Sequence, residues 1–193
     1  MKKTVLFINA CVRKDSRTRK LVEKLLMKLN QPYEEVCLNK IDFPKTDEDF
    51  LNRRDQLITA GETDNAMFSL ARQFADAETI VIAAPYWDLS FPASLKQYFE
   101  QINVTGITFR YTEEGFPQGL CRADRLFYVT TAGGCYVPEE FGFGYIKALA
   151  KNFYGIQDIR LIKASGLDID GADVNDIMAA AEETLENMEQ TAE

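Results

Sequence analysis

Three clusters of residues in this chain are equipped for chemistry. The first is the run Asn9-Ala10-Cys11-Val12-Arg13-Lys14-Asp15-Ser16-Arg17-Thr18-Arg19, which joins an apolar segment to an amphipathic one. Ser16 is a good helix N-cap, and Thr18 falls in the first turn behind it. A helix start offers unpaired N–H groups and a partial positive charge. With Arg13, Arg17, Arg19 and two hydroxyls around it, that start becomes a cradle for phosphate. The helix dipole disfavours basic residues there, so a plain capped helix with surface arginines leaves those charges unexplained. Cys11 stands at the end of the apolar segment, six residues ahead of Arg17. The second cluster is Pro85-Tyr86-Trp87-Asp88-Leu89, which puts broad aromatic surface where a flat ligand could rest. The third is Thr131-Ala132-Gly133-Gly134, where glycines let backbone N–H groups approach a ligand closely; a glycine pair is equally the mark of an ordinary turn. There is no histidine in the chain. That removes Ser-His-Asp triads, Cys-His pairs and every histidine proton transfer, so chemistry falls to carboxylates, tyrosine, lysine, cysteine or a cofactor.

The elements that must position these clusters alternate. Residues 4–8 form an apolar strand and 16–29 a helix with Leu21, Val22, Leu25, Leu26 and Leu29 on one face. A weaker, more polar strand follows at 33–38. Residues 40–62 are an excursion with at most a short helix. A helix spans 63–76, with Met67, Leu70, Ala71 and Phe74 inward. Residues 80–84 are an unbroken apolar run, the pattern of a parallel strand buried on both faces, so a strand is placed at 79–84. Pro92 opens a helix over 92–103, as a first-turn proline does. Residues 106–120 read as a loop or small hairpin, 125–131 as a strand, 138–153 as a helix despite Gly142 and Gly144, 159–164 as a strand and 173–188 as a closing helix. Strands alternating with helices predict an α/β fold: a doubly wound five-stranded parallel sheet with helices on both faces. The pattern fits the flavodoxin-like strand order 2-1-3-4-5, and residues 1–193 read as a single domain. All three clusters then follow strand ends, the edge where open α/β sheets bind ligands.

Composition narrows the partners. A net charge of −8 argues against nucleic acid and anionic membranes. Residues 1–30 nonetheless carry nine basic side chains against two acidic ones. From Ala164 onward there are nine acidic side chains and no Lys or Arg, which reads as a solvated helix face. No apolar run reaches the roughly 20 residues of a membrane span. The opening MKKTVLFINAC has too short an apolar stretch for a signal peptide and reads better as a first strand. The four cysteines form no CxxC pair, and without histidine no zinc site is expected. Reduced thiols and no export signal point to the cytoplasm.

Taken together, these motifs resemble the FMN-dependent NAD(P)H:quinone/azo reductases of the flavodoxin-like fold, the family of bacterial NADH-azoreductase. Ser16-Arg17-Thr18 resembles that family's Ser-x-Ser phosphate loop. Ala84-Pro85-Tyr86-Trp87-Asp88-Leu89, followed by Leu95-Lys96-x-Tyr98-Phe99, is similar to its AAPMYNF…LKNYF segment. Ile107-Thr108-Phe109-Arg110-Tyr111-Thr112-Glu113 with Gly119-Leu120 is similar to its VTFRYTENGPEGL, and Thr131-Ala132-Gly133-Gly134 stands where it has Ser-Arg-Gly-Gly. The resemblance implies that Ser16, Arg17 and Thr18, with Arg13 beside them, hold the FMN phosphate. Pro85, Tyr86, Trp87, Asp88 and Leu89 would line the flavin ring, and Thr131, Ala132, Gly133 and Gly134 would close its pyrimidine side. It also implies NADH or NADPH as donor, a quinone or other flat acceptor served in turn at the same face, and a homodimer with the active site at the interface.

The chain departs from the pattern in places. Asp88 replaces asparagine, and a carboxylate beside a flavin would disfavour the anionic reduced ring unless it turns outward. Ala132 replaces arginine, and Tyr136 replaces histidine, where it is a candidate proton donor to the acceptor. FAD remains open as the flavin. Three rival readings stand beside the main one. Cys11-x5-Arg17-Thr18 resembles the loop of low-molecular-weight cysteine phosphatases, although it lacks glycine and the chain has no Asp-Pro acid. A flavodoxin-like electron carrier would share the fold, although flavodoxins proper have a Thr-rich phosphate loop with glycine. A flavin-free regulator on the same fold is a third.

Overall fold

A computed structural model describes residues 5–187. In chain order the elements are β1 (Val5–Asn9), α1 (Arg17–Leu29), β2 (Tyr33–Cys37), α2 (Glu48–Thr59), α3 (Ser69–Asp76), β3 (Thr79–Ala83), α4 (Ala93–Ile102), β4 (Phe109–Tyr111), β5 (Pro117–Gly119), β6 (Arg125–Thr131), α5 (Phe143–Leu149), β7 (Asp158–Ala164) and α6 (Val174–Asn187). β2-β1-β3-β6-β7 form one parallel sheet, which is the expected order 2-1-3-4-5 once the separate β4–β5 hairpin is set aside. Thr4 and Met188, the outer ends of the expected first strand and last helix, lie outside the described residues.

The strands are apolar on both sides because helices cover both sides. Leu6, Ile8, Ile80, Ile82 and Leu126 face α2 through α5, in a core with Leu57, Phe74, Leu95, Phe99 and Ile146. Val5, Phe7, Val81, Phe127, Val129 and Ile162 face the other way, against Leu21, Val22 and Leu25 of α1 and Ala181 and Leu185 of α6. Each such side chain contributes about 1.5–3 kcal/mol by leaving water. A one-residue slip in any central strand would exchange the two faces, so the register is strongly specified. β2 is an edge strand, which is why Tyr33, Glu34 and Glu35 are tolerated on it.

The ladder runs past the strand ends and so carries the loops to one edge. Ala10 N–H donates to Ala83 O (2.8 Å), Ala84 N–H to Val129 O (3.0 Å), Tyr86 N–H to Thr131 O (3.0 Å) and Ala132 N–H to Ala164 O (2.9 Å). All three chemical clusters therefore emerge side by side.

Three elements differ from expectation. The helix expected at 63–76 begins as α3 only at Ser69, after a 3₁₀ turn over Ala66–Phe68 that the Asn65 side chain caps. The excursion at 40–62 contains a twelve-residue helix, α2, rather than at most a short one. Only Leu57 of it is buried, so its apolar period is faint. Its cap was legible: the Asp47 side chain accepts from Phe50 N–H, with Glu48 and Asp49 in the first turn. The helix expected at 138–153 starts later, at Phe143, and its last turn, Ala150–Tyr154, widens to a π-helical one. Gly142 and Gly144 account for the late start, and Gly155 ends the helix at a φ of 80°.

That widened turn packs against the hairpin. A Cβ added to Gly119 would lie 2.2 Å from both the Tyr154 carbonyl carbon and the Gly155 nitrogen, so the two backbones meet with no room for a side chain. Gly119→Ala is expected to lower stability by about 3 kcal/mol, since backbone rather than a flexible side chain must give way. Denaturant unfolding measures this, and a loss below about 0.5 kcal/mol would contradict the packing.

Candidate functional site

A cavity of about 390 Å³ opens where the β1–α1, β3–α4, β6–α5 and β7–α6 loops converge. That volume is within the range of small-molecule sites, about 300–1,000 Å³, and exceeds what a lone anion needs.

One wall is the β1–α1 turn, contributing Arg13, Ser16, Arg17 and Thr18 together with Val12 and Asp15. Ser16 caps α1 in extended conformation, its Oγ accepting from Arg19 N–H at 3.2 Å. The N–H groups of Arg17 and Thr18 have no acceptor within the helix, as at any helix start. The Thr18 side chain is fully buried, and its Oγ1 lies 2.7 Å from that of Thr131, tying the turn to the end of β6. Arg17 Nη1 donates to Asp168 Oδ1 across the cavity at 2.6 Å.

Arg19 is a correction to the expected cradle. It turns away, donating to Glu23 (2.7 Å) and Glu35 (2.6 Å), with its guanidinium 5.4 Å from the centre of the Phe7 ring. Burial alone would raise the Glu35 carboxyl, but hydrogen bonds from Arg19 and Asn9 outweigh it and hold it below the usual range. Arg19 thus fixes the turn from behind. The Glu23 partner four residues on was readable in the sequence; Glu35 needed the β1–β2 pairing.

The second wall brings Pro85, Tyr86 and Trp87 to the cavity. Asp88 and Leu89 do not line it. Both have positive φ, 49° and 67°, and form the tip of a tight turn in which Trp87 and Ser90 exchange backbone hydrogen bonds of 3.1 and 2.7 Å. The φ signs are those of a type I′ turn. Asp tolerates this conformation; Leu does not, at a cost of roughly 1–2 kcal/mol. With leucine in place of the usual glycine, the turn was invisible in the sequence. Asp88 consequently points outward and is exposed.

The third wall is Thr131, Ala132 and Gly133. Gly134 and Tyr136 lie beyond the cavity lining, and Tyr136 is 78% exposed. The β7–α6 loop pins this segment: Ala132, Gly133 and Gly134 carbonyls accept from the N–H groups of Leu167, Asp168 and Gly166. Leu167 and Asp168 complete the cavity, and sequence reasoning missed both by reading the acidic tail as a solvated face. Gly166, just past a strand end, was the available signal.

Cys11 does not serve this cavity. It is buried, with its Sγ 3.9 Å from the Ala83 carbonyl, and burial pushes its thiol up, away from the thiolate a nucleophile needs. All four cysteines are free.

A doubly wound parallel sheet, with an anion-suited helix start and aromatic and glycine loops at adjoining strand ends, defines a flavodoxin-like α/β protein built for a flat, phosphate-bearing ligand. The family model for the flavodoxin-like fold matches residues 3–188. The FMN-dependent NADH:quinone oxidoreductase of Clostridium perfringens is 38% identical, over 89% of this chain and 90% of the relative. That of Clostridium beijerinckii is 36% identical over 97% of each chain. Among solved structures, an FMN-dependent NADH-azoreductase from Bacillus anthracis in complex with FMN superposes with a TM-score of 0.80 at 25% identity, covering 97% of this chain and 98% of that one. The chain belongs to the family of FMN-dependent NADH:quinone oxidoreductases and azoreductases. Neither the cysteine phosphatase nor the electron-carrier expectation gains support from these relatives.

Proposed function

We propose that this protein is an FMN-dependent NADH:quinone oxidoreductase. One observation carries the reading: a single cavity joins the anion-binding start of α1 to Trp87 and Gly133 at the neighbouring strand ends. The donor set fits the group, with cations and free N–H groups at one end and flat apolar surface with close backbone approach at the other. When bound, FMN supplies the two-electron chemistry, accepting hydride from NADH and delivering two electrons to a quinone.

The chain's own residues bind and orient. The N–H groups of Arg17 and Thr18 and the guanidiniums of Arg13 and Arg17 hold the phosphate, with Ser16 fixing the turn. Pro85, Tyr86 and Trp87 support one side of the ring, with Asp88 and Leu89 at the rim. Thr131, Ala132, Gly133 and Gly134 form the other side, where Gly133 and Gly134 offer backbone N–H groups. Tyr136, at the rim, hands a proton to the acceptor or leaves that task to water. The exposed Trp87, Leu89, Tyr136 and Phe141 suit an interface beside the site, as in a homodimer; Ser90 Oγ–H donates to Phe141 O at 2.8 Å, which brings two of these loops together. NADPH and azo compounds are further substrates of the same face, and free thiols suit the cytoplasm.

Donor and acceptor share one mouth, so varying NADH against a quinone should give parallel double-reciprocal lines. Intersecting lines would mean that both bind together. Cys11→Ser should retain NADH oxidation at close to the original rate, because the thiol faces the sheet; its abolition, with folding intact, would restore a chemical role for Cys11.

A further inference from the structure

We infer that Asp168 sets the affinity and phosphate selectivity of the cofactor site, its carboxylate occupying Arg17 until a phosphate displaces it. This rests on the FMN reading above. Asp168 spans the two ends of the cavity. Its Oδ1 accepts from Arg17 Nη1 at 2.6 Å, while its Oδ2 lies so close to Gly133 that a Cβ there would be 2.2 Å away. Its backbone is pinned, because Asp168 N–H donates to Gly133 O at 2.9 Å, so the side chain can swing while the loop stays in place. The charged side chains lining the cavity are Arg13 and Arg17 against Asp15 and Asp168, so their formal charges cancel. The cradle that looks basic in sequence is neutral in space.

An incoming phosphate meets a guanidinium already engaged by an anion. Arg17 cannot give the same N–H to both, and the two anions repel at this distance. The pair is exposed, 38% at Arg17 and 68% at Asp168, and exposed pairs contribute little net stability. A dianion that also gains the α1 N–H groups therefore wins the exchange, at a lower affinity than Arg17 alone would give. Riboflavin, which has no phosphate, has nothing to exchange.

The test is a titration of FMN and of riboflavin into the full chain and into Asp168→Asn, followed by tryptophan fluorescence. Asparagine keeps the side-chain shape and the backbone hydrogen bond; Asp168→Ser serves as a second variant. FMN should bind the variants about 3- to 5-fold more tightly, with riboflavin changed by less than about twofold. Unchanged or weaker FMN binding overturns the inference, as does an equal shift for both flavins, which would mean a general change in the loop. If the unaltered protein binds no FMN, the functional reading falls and this inference with it. That result is distinct from tight FMN binding that ignores Asp168.

Discussion

Gly133→Val is expected to weaken FMN binding by about 100-fold while leaving the protein folded. A Cβ at Gly133 would lie 2.2 Å from Asp168 Oδ2 and 2.9 Å from its Cγ. The carboxylate is exposed and can move aside, so the sheet beneath keeps its packing. The branched side chain then stands on the cavity wall, where the ring edge must approach backbone. Overpacking of this kind costs about 1–3 kcal/mol, which corresponds to roughly 5- to 150-fold in affinity. The upper part of that range is expected because two methyl groups also cover the Gly133 N–H. Gly134→Ala is the contrast, with nothing within 4 Å of its added Cβ. Calorimetric titration with FMN measures both variants, and a Gly133→Val protein that binds within about threefold of the original would contradict the placement of the ring against this loop.

Arg17→Ala should lower FMN affinity by about 1.5–3 kcal/mol, the value of a charge-assisted hydrogen bond to an ionised group. That is roughly 10- to 150-fold. The substitution also leaves Asp168 unpaired beside the phosphate, which adds repulsion. Riboflavin binding should change far less. Arg19→Ala separates true phosphate ligands from basic residues that are merely near in sequence. Arg19 is held by Glu23 and Glu35 and lies over Phe7, so its loss should lower thermal stability more than FMN affinity. If Arg19→Ala weakens FMN as much as Arg17→Ala does, the assignment of the two arginines is wrong.

The difference between Arg17 and Arg19 shows where sequence reading stops. Ser16 as the cap and the turn as a phosphate site follow from local chemistry. Which arginine faces the ligand depends on Glu35 and Asp168, 16 and 151 residues away in sequence. β6 falls at 125–131 as expected, because a strand buried on both faces leaves an apolar run with sharp ends. α2 is longer than its sequence suggests because it buries one residue, and a helix held by its cap more than by its core shows little period. The positive φ of Leu89 was beyond reach, since leucine is the wrong residue for that conformation and only the surrounding bridge between Trp87 and Ser90 enforces it. That departure from local preference sits at the rim of the cavity, where strain is most often kept.

The most direct measurement is a titration of the purified protein with FMN while the fluorescence of its tryptophan is followed. The chain has a single tryptophan, Trp87, and it stands on the cavity wall, so its emission reports on this site. Saturable quenching is expected at about micromolar FMN, with one flavin bound per chain. Emission that stays constant through that range, with no flavin retained by the protein, would contradict it.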